Sequence, residues 1–310
     1  MTSPWPWLKE GEYSSRLKNP IDLLDEYDER PAVKDVITDH RAKLEELKAG
    51  LKDDSLYDST KHDDLWLVRF LLSQKKVPKA LSAIKNTLLF RKEHHLDEKD
   101  LRGLSTNNYQ EMDERMHPYV QHLKSLLSCC DENAIKCQTP HGNQGQMVFY
   151  VLTAKRNQNK MMDRMNEEEY RKATLIFSEW SFQWIDYLTR SSGRISKMLR
   201  LMDAKGTAIS MLNRQAKKLD GQTAKLMEDK YPQMLGMIGV INAPTWINVV
   251  LALIKLIVPK RVLEKIAFLN PSKNKKDLKP ILKYVPAEKL PTCYGGTAEE
   301  SPLPDLVFSI

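Results

Sequence analysis

The sequence predicts an α/β protein: a bundle of short helices followed by a domain built on a mostly parallel sheet. Two observations carry this. Up to about residue 105 the apolar residues recur at helical spacing. After Gly142, short β-type runs alternate with longer amphipathic segments, the pattern of parallel strands joined by crossover helices. A third observation bears on function: from Trp246 to Val258 nearly every residue is apolar, and only Asn248 and Lys255 interrupt.

Each element has its own signal. Pro31 stands at a first helical position before AVKDVITDHRAKLEELKAGL, whose Val33, Val36, Ile37, Leu44, Leu47 and Leu51 fall on one stripe. Ser59 or Thr60 is placed to cap KHDDLWLVRFLLSQ, and Pro78 opens KALSAIKNTLLFRKEHHL, where Leu81, Ile84, Leu88 and the adjacent Leu89 share a face. QMVFYVL (146–152) reads as a strand. Asn166 and Glu169 have capping-box spacing, and the helix they open repeats Tyr170, Thr174, Phe177, Ser181, Trp184 and Leu188. MLRLMDA (198–204), GMIGVIN (236–242) and IAFLN (266–270) are the remaining strands, with a helix over 212–230 despite Gly221. Three regions follow: helices over 1–105, the α/β domain over 106–300, and a tail over 301–310.

Composition excludes several classes. With 29% charged and 41% hydrophobic residues the chain is not disordered throughout. The formal net charge of +7 suits an anionic membrane surface and aids solubility. The basic residues are spread along the chain, without zinc-finger spacing or an aromatic-basic motif, so nucleic acid is not expected as a partner. Cys129, Cys130, Cys137 and Cys293 are too few for a disulfide framework. The first three, with His141, lack the paired spacing of a zinc site, and no metal is expected. Gly-rich phosphate loops, a nucleophile elbow and the H-E-x-x-H pattern are all missing, so no catalytic residue is assigned and an enzyme is not expected. MTSPWPWLKEGEYSS is no secretory leader, and the apolar run is shorter than the ~20 residues a bilayer core requires; a cytoplasmic protein is the expectation.

A helix apolar on all sides must be covered on both sides or must sometimes meet lipid. Ile247, Leu251 and Ile254 fall on one side; Trp246, Val250, Leu253 and Ile257 fall on another. One reading is a central core helix. The other is a lid, with one side toward an internal cavity and the other toward bilayer when it opens. Trp5 and Trp7 are either interfacial anchors or residues packed against the bundle.

Longer stretches sharpen the choice. DDLWLVRFLLSQKKVPKALSAIKNTLLFRKE resembles the N-terminal helical motif of CRAL-TRIO proteins. LMDAKG, KYPQMLGMIGVINAP, the apolar run, LEKIAFL and VPAEKLPTCYGG resemble the lipid-binding domain in the same order, so the likeness spans about 63–296. The resemblance implies a sheet-floored hydrophobic cavity closed by a gate helix, here the apolar run. It implies binding and exchange of one lipophilic molecule without chemical conversion, by a monomer that meets a membrane surface transiently. The bound lipid then stands where a cofactor would, and no other cofactor is expected.

The resemblance also assigns residues. Lys75, Lys265 and Gln233 fall at positions for a phosphatidylinositol headgroup, but Gln74, Gln233 and Val262 replace an arginine, a glutamate and a threonine of that set. At the phosphatidylcholine positions this chain has Met198, Arg200, Phe149, Trp180 and Met234 in place of small hydroxyl residues, tyrosines and an arginine. Strand alternation puts Met198, Arg200 and Met202 on one face, which the resemblance makes the cavity face. Arg200 then needs a partner, either a protein carboxylate such as Glu179 or Asp186, water, or an anionic ligand group. The ligand expected is a phospholipid, with phosphatidylinositol a candidate. A retinoid, tocopherol, sterol, carotenoid or fatty acid is the alternative cargo, and a lipid-sensing regulator of a lipid-modifying enzyme the alternative role.

Overall fold

The computed structural model describes residues 28–104, 109–130, 134–138, 146–247, 252, 255 and 258–298. Four helices, α1 (Val33–Asp39), α2 (Arg41–Leu51), α3 (Asp64–Gln74) and α4 (Val77–Glu93), form the N-terminal bundle. Val33, Leu44, Leu47 and Leu51 are buried as the spacing predicts, while Val36 and Ile37 pack partly buried against the same core. Four details differ from expectation. Ala32, not Pro31, precedes the first helical residue, and the long helix breaks at His40, whose Nδ1 lies 2.9 Å from the Val36 carbonyl. Asp63 rather than Ser59 or Thr60 caps α3, accepting from the Trp66 N–H at 3.0 Å. Leu89 is 60% exposed, because a residue adjacent to Leu88 lies about a quarter-turn further round α4.

After α5 (Val120–Ser128), the chain forms a five-stranded sheet in the order β1-β2-β3-β4-β5. Strands β2 (Met147–Leu152), β3 (Met198–Asp203), β4 (Leu235–Ile241) and β5 (Ile266–Leu269) are mutually parallel. The edge strand β1 (Ile135–Gln138) is antiparallel and has no counterpart in the sequence reading. IKCQ is too short and mixed to show a period. Between strands lie α6 (Gln158–Arg164), α7 (Glu167–Ser192) and α8 (Arg214–Lys230). The capping box at Asn166 is formed: its side chain accepts from the Glu169 N–H and the Glu169 carboxylate accepts from the Asn166 N–H, both at 2.9 Å.

The two faces of the sheet have different fates. Val148, Tyr150, Leu199, Leu201, Ile241 and Leu269 point to the rear, where α9 (Lys275–Leu282) and the following loop supply Ile281, Val285, Leu290 and Tyr294. At the end of that loop, a Cβ on Gly296 would collide with the Leu290 carbonyl, so only glycine fits. Met147, Phe149 and Met198 point forward into a cluster that continues through α7 into the N-terminal helices.

Helix α7 holds the bundle to the sheet with a buried polar stripe. Arg91 grips Glu179 with both terminal nitrogens at 3.0 Å and donates through Nε to Asp97 at 2.6 Å. Gln183 accepts from the Leu101 N–H at 2.7 Å. Asp186 takes Arg190 at 2.7 Å and Arg69 at 3.4 Å, and Arg190 reaches on to Asp63 at 2.6 Å. Buried charges are costly unless paired, and each charged group of this stripe has an ionic partner, although Arg69 Nε and Nη1 make no hydrogen bond.

Candidate functional site

Between the front of the sheet and helices α7 and α8 lie two adjoining hollows, of about 1090 and 1130 Å³ counted with their parts open to solvent. Both open partly to solvent, so the enclosed space is smaller than these figures. Alternation along the strands explains the floor: Phe149, Met198, Arg200, Met202 and Ile238 face the first hollow. From α7 come Tyr170, Thr174 and Phe177, and from α8 come Asp220, Thr223, Met227 and Glu228, each set at helical spacing. The second hollow is lined by Trp246, Ile247 and Phe268 among others, and shares Arg156, Met202, Ala224, Ile238 and Val262 with the first.

The polar groups are few and lie in two places. At one, Glu228 accepts from Lys265 Nζ at 3.2 Å, Arg261 Nε lies 3.4 Å from it, and Arg261 also donates to the Ser73 carbonyl at 2.9 Å. At the other, the Tyr170 hydroxyl donates to Asp220 at 2.5 Å and Arg156 lies 3.5 Å from the same oxygen. Burial, then the Asp220 charge, raises the Tyr170 pKa well above its ordinary value, so the phenol stays protonated. Burial alone would lower the Arg156 pKa; Asp220 and Tyr170 outweigh it and raise it.

Residues 132–296 fit the family model described as the CRAL/TRIO domain. The chain belongs to that family. Among curated CRAL/TRIO relatives, the SEC14 cytosolic factor of Eremothecium gossypii is 26% identical over 85% of this chain and 78% of its own. Patellin-3 of Arabidopsis thaliana is 25% identical over 75% of this chain and 42% of its own. The Arabidopsis phosphatidylinositol/phosphatidylcholine transfer protein SFH7 is 24% identical over 76% of this chain and 40% of its own. The chain therefore spans less than half the length of the Patellins it matches. The crystal structure of Sfh5 superposes on 78% of this chain and 81% of that one at 16% identity, with a TM-score of 0.49.

On the CRAL/TRIO frame the predicted site residues separate. Phe149, Met198, Arg200, Met202 and Met234 line the first hollow together. Trp180 does not; it is fully buried behind Phe177 and Phe149, with ring centroids 5.8 and 6.0 Å away. Lys265 lies at the Glu228 end, whereas Lys75 is exposed at the left-handed C-cap of α3, φ 62°, and Gln233 is half-buried with φ 65°. Of the proposed gate, Trp246 and Ile247 line the second hollow; Val250, Leu251, Leu253, Ile254 and Ile257 lie outside the described residues, as do Trp5, Trp7 and His141.

Neither carboxylate proposed for Arg200 reaches it. Glu179 and Asp186 lie on the bundle side of α7 and are held by Arg91, Arg69 and Arg190. Tyr170, Thr174 and Phe177, on the cavity side, are the α7 residues that share the hollow with Arg200. Arg156, Asp220, Glu228 and Arg261 were not singled out in the sequence. The spacing of Asp220, Thr223, Met227 and Glu228 was the available signal: a helical stripe carrying two carboxylates toward an otherwise apolar floor. Among the described residues, no helix is long and apolar enough to cross a membrane.

Proposed function

We propose that this protein holds one lipid molecule in the hollow between sheet and helices and exchanges it at membranes. The supporting observation is the lined cavity itself, with an apolar floor of Phe149, Met198, Met202 and Ile238 inside a CRAL/TRIO domain. Water penalises each exposed CH2 by ~0.8 kcal/mol, so a long acyl chain travels only inside such a space. Related proteins are named for cytosolic action and for phosphatidylinositol and phosphatidylcholine transfer, which fits a cytoplasmic carrier of a phospholipid. The apolar segment after Pro244 would be its gate, and the net charge of +7 would favour transient docking on anionic membranes.

Phosphatidylinositol is the first candidate cargo, with Lys265 at the polar end of the cavity as its phosphate contact and Lys75 and Gln233 as further headgroup residues. The test is organic extraction of the purified protein with mass spectrometry, followed by vesicle-to-vesicle transfer of labelled lipid. One lipid per chain and transfer above the spontaneous rate are expected. Stoichiometric binding without transfer would instead favour a lipid-sensing regulator, and a protein that neither carries nor takes up lipid would overturn the reading.

A further inference from the structure

Among the described residues, the floor of the cavity carries a charge that no ion pair neutralises. Arg200 projects from β3 between Met198 and Met202, and among the described residues it forms no ion pair. Its Nε is buried without a hydrogen-bond partner, and so is that of Arg156 across the same hollow. Asp220 is the carboxylate of this cluster, and it already serves Tyr170 and Arg156. Lys217, from the preceding turn of α8, lines the adjoining hollow and adds a further cation. Glu228, the other carboxylate on the wall, is held by Lys265 and Arg261. Burial, and then the like charge of Arg156, lower the Arg200 pKa. A guanidinium nevertheless stays protonated in proteins, so the positive charge persists.

This arrangement discriminates among cargoes. In the empty cavity, water can solvate Arg200. A wholly apolar ligand, or an acyl chain laid across this floor, would displace that water and strand the guanidinium. An oxyacid group would instead meet two planar donors with free N–H groups, the geometry that suits carboxylates and phosphates.

We infer that Arg200 and Arg156 form an anion site inside the cavity, and that the cargo is an acidic lipid whose carboxylate or phosphate monoester sits between them. The inference rests on the carrier reading and narrows it. The acid group lies deep on the sheet floor, with Tyr170 and Asp220 as its neighbours, while the apolar tail fills the hollow lined by Trp246, Ile247 and Phe268.

The test uses lipid-stripped protein loaded with the neutral fluorescent probe N-phenyl-1-naphthylamine. The probe is displaced by oleic acid, methyl oleate, dioleoylphosphatidic acid or dioleoylphosphatidylcholine. At least one acidic lipid is expected to displace it at a concentration about ten- to a hundred-fold below that of methyl oleate, the range of one or two charge-assisted hydrogen bonds. Preference for oleic acid over phosphatidic acid identifies a carboxylate cargo, and the reverse a phosphate monoester. Arg200→Met should abolish the discrimination by weakening acidic lipids about ten-fold or more, while methyl oleate, with no guanidinium left to strand, displaces the probe no less well than in wild type. Should that variant fail to fold, Arg156→Met is expected to weaken acidic lipids selectively. Equal displacement by methyl oleate and both acidic lipids in wild type, or equal losses for acidic and neutral lipids in Arg200→Met, overturns the anion site and leaves the carrier intact. Displacement by none of the four overturns both.

Discussion

Asp186 shows how much a single residue holds. It is 1% exposed and touches two guanidiniums, Arg190 at 2.7 Å and Arg69 at 3.4 Å, that are equally buried. Removing it takes the paired carboxylate from Arg69 and leaves Arg190 to Asp63. Breaking a buried pair from one side costs ~3–5 kcal/mol, so Asp186→Ala should lower unfolding stability by about that much in urea titration. Asp186→Asn, which keeps a hydrogen-bond acceptor, should cost less. The sequence offered both Asp186 and Glu179 as partners for Arg200. Chemistry alone could not choose, because which side of a helix meets which neighbour depends on how the helix is docked. Docking gave these carboxylates to Arg91, Arg69 and Arg190 and left Arg200 to the cavity.

At the scale of elements, local signals were most legible where the chain is long and periodic. The Asn166–Glu169 spacing starts α7, and both reciprocal hydrogen bonds are formed. Asn166→Ala should therefore destabilise the protein by about 1 kcal/mol, read as a fall in thermal midpoint with the cavity unaltered. Alternation in MLRLMD put Met198, Arg200 and Met202 on one face and Leu199 and Leu201 on the other, and in the structure the first set lines the hollow while the second joins the rear core, because a pleated strand must send successive side chains to opposite faces. The antiparallel edge strand was not legible. Its four residues carry no periodicity of their own, and pairing with β2 makes them a strand. Asp63 likewise displaced Ser59 and Thr60 as the cap of α3, although all three have capping side chains.

For the whole molecule, burial of one histidine in the N-terminal bundle sets a pH dependence of stability. His62 lies 3% exposed between Tyr57 and Trp66, and its Nδ1 accepts from the Asp58 N–H at 3.0 Å. Burial lowers its pKa from 6.5 to about 4, with the nearby charges secondary. The unfolded chain thus binds a proton that the folded one refuses. This contribution to stability is complete above pH 6.5 and is lost as pH falls through about 4. His62→Gln should flatten the stability profile between about pH 6.5 and 4 relative to wild type, as measured by denaturant midpoints across that range.

The order of the four parallel strands and the long helices between them, the family, and the faces of the strand at 198–202 could all be read along the chain, because they follow from local periodicity and from motifs. The tertiary structure alone decided which charges meet. It closed Glu179 and Asp186 into the seam between bundle and sheet, drew Glu228 to Lys265 and Arg261, and brought Arg156, from the loop after β2, beside Arg200 on β3. Charge pairing acts over a few ångströms between residues far apart in the chain. It was fixed only when the helices settled onto the sheet, and with it the position of Arg200 on the cavity floor.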